Sequence, residues 1–223
     1  MTSTVAPAVG YDAWFDSRWG RYAWRIETRA VLAALGPLPG RRGADVGCGT
    51  GRLLGILTSR GASAVGIDTD PAMLTLAAAR GPVARADAHR LPLADASVDA
   101  AVTLATLEFT ADPAQVLAEM ARVTRPGGRL AAAVLNPASP WGILDRPARR
   151  APYTSGCFLP RGDLLALGRR HGHARISGAL FAAAHLPALP LLGPVLEAAG
   201  KLTPRFGAFQ ILAVRTGIPG RAA

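Results

Sequence analysis

Asp45-Val46-Gly47-Cys48-Gly49-Thr50-Gly51 sets an acid and three alternating glycines directly after a short apolar run. Glycines at such a turn let the backbone bend where a Cβ would clash, and they let amide groups approach a ligand closely. A helix that begins just after the loop adds an N-terminus that favours negative charge. Three ligand classes use a turn of this kind. A phosphate-cradling loop needs Gly-Lys-Ser/Thr after a longer spacing, and no such run occurs. A dinucleotide turn needs Gly-x-Gly-x-x-Gly, but counting from Gly47 the sixth position is Arg52, too bulky for the close helix packing required there. An acid followed by Gly-x-Gly-x-Gly is matched at every position.

These residues need a frame. "GADVG" (43–47) and "SAVGID" (63–68) read as short buried strands, with "RLLGILTSR" (52–60) as the helix between them, closed by Gly61. Asp70-Pro71 and Asp112-Pro113 each join a capping oxygen to a proline suited to the first helical turn. They open "AMLTLAAAR" (72–80), which Gly81 closes, and "AQVLAEMARVT" (114–124), which Pro126-Gly127-Gly128 closes. "SVDAAVTL" (97–104) and "RLAAAVLN" (129–136) read as further strands. The alternation predicts an α/β fold with a mostly parallel sheet covered on both faces. Ligands then bind beyond the carboxyl ends of the strands. Ahead of it, residues 11–24 hold six of the chain's 13 aromatics. Tyr11, Phe15, Trp19 and Tyr22 recur at helical spacing, on one face of a helix continuing through 25–35. That face either docks on the core or forms a lid over a ligand.

With the loop in that frame, the chain resembles the class I S-adenosylmethionine-dependent methyltransferases, especially the small-molecule branch that includes quinone-biosynthesis methyltransferases. The resemblance covers about residues 11–136 and, more weakly, 150–216. Its carriers are the glycine loop, Asp68 standing 17 residues after Gly51, and Asp87 in "ARADAHRLPLADASVDAAVT". "LATLEF" after the strand at 97–104 and "ARVTRPGGRL" before the next strand complete them. It implies a Rossmann-like, doubly wound, seven-stranded sheet with an N-terminal helical lid. Residues 1–36 would be an aromatic helical cap and 37–136 the cofactor-binding core. Residues 137–223 would hold the acceptor pocket and the C-terminal strands of the same domain.

The resemblance further implies S-adenosylmethionine as cofactor. Around it would stand Tyr11, Asp45, Gly47, Cys48, Gly49, Gly51, Asp68, Thr69, Met73, Asp87, Ala88 and Leu104. Asp68 would accept the ribose hydroxyls, and Asp87, Ala88 and Met73 would lie near the adenine. Asp45 would orient loop amides or meet the ammonium group. A methyl on a sulfonium is already activated. The expected reaction is therefore transfer to an O, N or C nucleophile of a small molecule, driven mainly by proximity and orientation. Spacing marks out no general base; Glu108, Tyr11 and His89 are the candidates.

Half of the 223 residues are hydrophobic, enough for one packed domain. The first ten residues lack the basic start and apolar stretch of a signal peptide. Cys48 and Cys157 make neither a disulfide framework nor a metal cluster, and His171-Gly172-His173 lacks partner ligands, so no metal is expected. A cytoplasmic protein fits. The uncharged stretch 176–196 is long enough to span a bilayer. Pro187, Pro190 and Pro194 break the helix a span requires, so it reads as a strand, an apolar loop and a short helix.

The net charge of +10 is segregated. Residues 1–145 carry 14 Arg against 13 acids, whereas 146–223 carry 11 basic residues against Asp163 and Glu197. A basic last third suits an acidic small-molecule acceptor, an anionic membrane surface or nucleic acid. A membrane lipid or prenylated quinone is the alternative acceptor. RNA is disfavoured because the tail shows no RNA-binding module and no aromatic-basic interleaving. Arg146, Arg149 and Arg150 follow the fifth strand and are the arginines expected at the active-site mouth. No feature sets an oligomeric state.

Overall fold

Apolar runs alternating with capped helices assemble as the pattern predicts. The computed structural model describes residues 5–145, 156–182 and 189–217. The strands are β1 (Arg42–Val46), β2 (Ser63–Asp68), β3 (Val83–Arg85), β4 (Val98–Leu104), β5 (Thr124–Leu135), β6 (Gly172–Ala179) and β7 (Phe209–Thr216). The helices are α1 (Val5–Trp14), α2 (Arg18–Leu35), α3 (Arg52–Ser59), α4 (Pro71–Ala77), α5 (Pro113–Val123), α6 (Pro140–Asp145), α7 (Arg161–Arg169) and α8 (Leu189–Gly200). The sheet order is β3-β2-β1-β4-β5-β7-β6. β1 to β5 pair in parallel, and β7 runs antiparallel to both β5 and β6. This is a Rossmann-like doubly wound sheet. Its order reverses between β1 and β4, so the loops leaving those strands part there and leave room for a ligand.

Both faces of the sheet are covered. Along β5, Ala131 and Ala133 join the core made with α2 and α3, while Leu130, Ala132 and Val134 join the core made with α5 and α7. That two-sided burial explains a strand without polar alternation. The two Asp-Pro starts behave as read. Asp70 Oδ1 accepts the Ala72 N–H at 2.8 Å, and Asp112 Oδ1 accepts that of Ala114 at 2.9 Å.

The N-terminal aromatic segment departs from the expectation. It is two helices, with α1 ending at Trp14 and α2 starting at Arg18. Ser17 Oγ caps α2 by accepting the Gly20 N–H at 3.0 Å. Any side chain at Gly20 would collide with the Trp14 carbonyl, so the sharp return between the helices requires glycine there. Tyr11 and Phe15 therefore do not share a helix face with Trp19 and Tyr22. α1 packs next to α4, whereas α2 is a core layer on β4, β5 and β7.

The long apolar stretch divides as expected at its ends: β6 stops at Ala179 and α8 begins at Leu189, with Pro194 inside it. His185 and Pro187 lie outside the described residues, as do Arg146, Arg149 and Arg150. No helix among the described residues is long and apolar enough to cross a membrane.

Candidate cofactor and acceptor site

The glycine loop leaves β1 and enters α3 at the edge of a cleft of about 250 Å³. Each glycine is there for its own reason. All three take positive φ: 69° at Gly47, 53° at Gly49 and 81° at Gly51. A Cβ on Gly47 would collide with the Thr106 side chain, and one on Gly51 would come within 2.8 Å of Ala77 in α4. A Cβ on Gly49, which lines the cleft, would meet nothing within 4 Å beyond its chain neighbours. Gly47 and Gly51 thus close protein against protein, and Gly49 leaves space for a ligand to approach the backbone.

Two carboxylates hold the loop. Asp68, at the end of β2, accepts the Gly49 N–H through Oδ2 at 2.8 Å and the Asp70 N–H through Oδ1 at 2.9 Å. Asp45 is fully buried and accepts the Leu54 N–H at the start of α3. Its Oδ2 has no partner. Burial, opposed by that hydrogen bond and assisted by Asp68, pushes the Asp45 carboxyl up to about 7. A buried carboxylate oxygen left open at a cleft wall suits a donor on a ligand. Cys48 is buried, and its thiol is pushed far above the ordinary range by burial first and then by Asp45 and Asp68. It is a filler and not a nucleophile.

The cleft gathers Tyr11, Asp45, Gly47, Cys48, Gly49, Asp68, Met73 and Leu104 from the residues singled out in the sequence. It does not gather the others. Gly51 is packed under α4, and the Thr69 carbonyl accepts from Arg85 Nε at 3.0 Å. Asp87 and Ala88 stand outside the cleft lining. Asp87 is solvent-exposed and binds His89 Nδ1 at 2.6 Å. His89 Nε2 accepts the Asp112 N–H at 3.2 Å, so the imidazole is a clamp between two loops and not a base facing the cleft. Glu108 turns away from the cleft into the core, where Oε1 accepts the Leu135 N–H at 2.9 Å and Oε2 has no partner. Burial raises its carboxyl to about 7. Of the residues after β4, Thr106 and Phe109 line the cleft and Glu108 does not.

Several contributors were not among the cofactor residues expected from the sequence. Trp24 of α2 and Phe15 line the cleft, and Phe15 meets the edges of both Tyr11 and Trp24, at 5.3 and 5.1 Å between centroids. Ala105 is a non-glycine residue at φ 52° in the cleft wall, a strained conformation of the kind that collects at functional sites. Arg52, which excluded a dinucleotide turn, has a positive role. Its Nε binds Asp12 Oδ1 of α1 at 2.7 Å, and Arg80 Nη2 binds Asp12 Oδ2 at 2.8 Å. Thr50 Oγ1 donates to the same carboxylate at 2.6 Å. Asp12 therefore latches α1, with Tyr11 on it, onto the glycine loop. Among the described residues no group of His, Cys, Asp and Glu could hold a metal ion.

Comparison with known proteins agrees with this geometry. The sequence profile described as "Methyltransferase domain" matches residues 44–132. A demethylmenaquinone methyltransferase of Beutenbergia cavernae is 39% identical over 124 residues, 54% of this chain and 51% of that protein. The chain spans between 34% and 56% of the length of the curated relatives it matches. Among solved structures, a Thermotoga maritima S-adenosylmethionine-dependent methyltransferase, titled a possible histamine N-methyltransferase, superposes with a TM-score of 0.75 at 24% identity, over 95% of this chain and 97% of the other. The [4+2]-cyclase SpnF superposes at 0.64 and 21% identity, over 91% of this chain and 84% of its own. The fold alone thus does not fix the chemistry.

Proposed function

We propose that the chain, whose residues 44–132 match a methyltransferase domain, is a class I enzyme that transfers the methyl group of S-adenosylmethionine to a nucleophile on a small molecule. The observation that carries this reading is Gly49, open to the cleft and tied by its N–H to Asp68. Asp68 keeps lone pairs beside that bond for the ribose hydroxyls. The open Oδ2 of Asp45 would receive a donor from the amino-acid end, and Met73 would pack against the adenine. The cofactor, when bound, supplies an activated methyl group. The chain's part is to orient the acceptor and exclude water, and orientation alone is worth roughly 7–11 kcal/mol. Tyr11, Phe15, Trp24 and Phe109 form the apolar side that would do so. An amine or an acidic carbon needs no base there, which agrees with Glu108 and His89 being engaged elsewhere.

S-adenosylhomocysteine should raise the melting temperature, because a ligand that binds the native state stabilises it, and NADH should not. Asp68→Ala should weaken that binding by about tenfold or more, the worth of roughly 1.5–3 kcal/mol for a charged acceptor. Stabilisation by NADH alone would overturn the assignment.

A second reading, a membrane-bound lipid or quinone acceptor, is favoured by one surface. Leu192, Val195, Leu202 and Phe206 are exposed within one short segment, and Lys201 and Arg205 are exposed among them. Exposed apolar side chains interspersed along the chain with cations suit an anionic membrane. Sedimentation with vesicles containing an anionic lipid, lost in Leu202→Glu, is the expected result. Equal recovery of both forms in the supernatant would exclude it.

A further inference from the structure

Arg18, Arg21, Arg25 and Arg29 recur along α2, and all four are exposed. Spacings of three and four residues put them on one face of the helix, over about 16 Å of its length. Like charges at that spacing repel, so the stripe is unfavourable on its own. By contrast, Arg52, Arg80, Arg122 and Arg125 each bind a carboxylate. On the stripe, Arg21 donates to the Asp16 backbone carbonyl and Arg25 lies over the Tyr22 ring at 5.5 Å, contacts that leave the charge in place. Glu27, the one acid in α2, is buried away from them. The flanks of the stripe indicate its partner. At 3.6 residues per turn, Tyr22 falls on one side of it and Trp24 on the other. Gly193 of α8 seats against Tyr22, where a Cβ would come within 2.7 Å of the hydroxyl, and Glu197 of α8 accepts from that hydroxyl at 3.4 Å. The same helix carries Leu192 and Val195, 48% and 64% exposed. Trp14, 46% exposed, ends α1 next to the first turn of the stripe. An anionic bilayer takes up both the cations and the apolar side chains beside them. The phosphates of a nucleic acid would take up only the charge.

We propose that the arginine stripe of α2, with α8 on its flank, docks the chain on an anionic membrane. This rests on the membrane-acceptor reading and deepens it, because it assigns the docking surface and places the cleft beside the bilayer. Trp24, on the far flank of the stripe, lines the cleft. A bilayer seated on the arginines therefore lies next to the aromatic wall, and an acceptor dissolved in it reaches the cleft without crossing water. Each arginine near an anionic leaflet strengthens binding about fivefold. The attraction is screened beyond about 8 Å at physiological ionic strength, so binding weakens as salt rises.

The test is sedimentation of the full chain with vesicles of phosphatidylcholine and phosphatidylglycerol, against vesicles of phosphatidylcholine alone. The parent should sediment with the first and stay in solution with the second. Arg25→Gln/Arg29→Gln should weaken vesicle binding by roughly 25-fold, the product of two fivefold losses. It should melt no lower than the parent, since it relieves a like-charge pair, and it should bind S-adenosylhomocysteine as the parent does. Arg169→Gln/Arg170→Gln removes the same charge at the end of α7, on the opposite face of the sheet, and should sediment as the parent does. Equal losses in the two double variants would show that net charge alone acts, and would overturn the stripe. Parent-like sedimentation of Arg25→Gln/Arg29→Gln, with binding lost in Leu202→Glu, would overturn the stripe and leave the membrane reading standing. A parent that ignores both kinds of vesicle would overturn both. Tighter binding of a single-stranded oligonucleotide than of vesicles, lost in Arg25→Gln/Arg29→Gln, would assign the stripe to nucleic acid and overturn the membrane surface.

Discussion

Gly49→Val should give a folded chain that no longer binds S-adenosylhomocysteine at concentrations that saturate the parent. The residue sits at φ 53°, where a β-branched side chain is strained by roughly 1–2 kcal/mol. Nothing beyond its chain neighbours lies within 4 Å of its Cβ position, so nothing in the protein interior is displaced. The valine methyls enter the cleft instead, on the backbone that a ligand must approach. Gly51→Val is the contrast, because there the Cβ comes within 2.8 Å of the Ala77 backbone and forces α3 from α4. The two variants should separate: Gly49→Val loses binding with a small fall in melting temperature, and Gly51→Val loses the fold. Titration calorimetry and a thermal melt on each check this. Parent-like affinity in Gly49→Val would remove that glycine from the ligand site.

Asp12→Ala should destabilise the chain by roughly 2–3 kcal/mol, between the values for exposed and buried ion pairs. The fall in melting temperature is then roughly 4–12 °C for a chain of this size. The carboxylate is only 17% exposed and accepts from Arg52, Arg80 and Thr50 together. Its removal leaves two guanidinium groups partly buried without their acid. It also frees α1, so Tyr11 loses its seat over the cleft and S-adenosylhomocysteine affinity should fall too.

The pH dependence gives a further check on the latch. Hydrogen bonds from Arg80, and then from Arg52 and Thr50, hold the Asp12 carboxyl well below the usual carboxylate range. A depressed folded-state pKa contributes stability that is present above the unfolded value, near 4, and is lost as pH falls through the folded value. The parent should therefore lose this contribution only in strong acid. In Asp12→Ala the same stretch of the acid melting curve should be flatter. An unchanged melting temperature in Asp12→Ala would show that the latch carries no weight.

The sequence by itself determined what local chemistry controls. Asp45 and the three alternating glycines specified the turn, because positive φ and close approach are demands on single residues. Asp70-Pro71 and Asp112-Pro113 specified helix starts, because a cap acts within three residues. The strand-helix alternation specified a mostly parallel sheet covered on both faces, and the resemblance supplied its doubly wound order. What the tertiary structure decided is which distant side chains meet. Asp12 reaches Arg52 and Arg80 across 40 and 68 residues, a pairing that no spacing announces. Glu108 and Thr106 leave the same strand, but only packing against β5 turns one into the core and leaves the other on the cleft. Asp87 occupies a position that the resemblance assigned to the cofactor, and its bond to His89 in solvent sets it outside the lining. The one helix read across residues 11–24 became two: Ser17 caps α2, and Gly20 gives the room beside the Trp14 carbonyl that the sharp return needs.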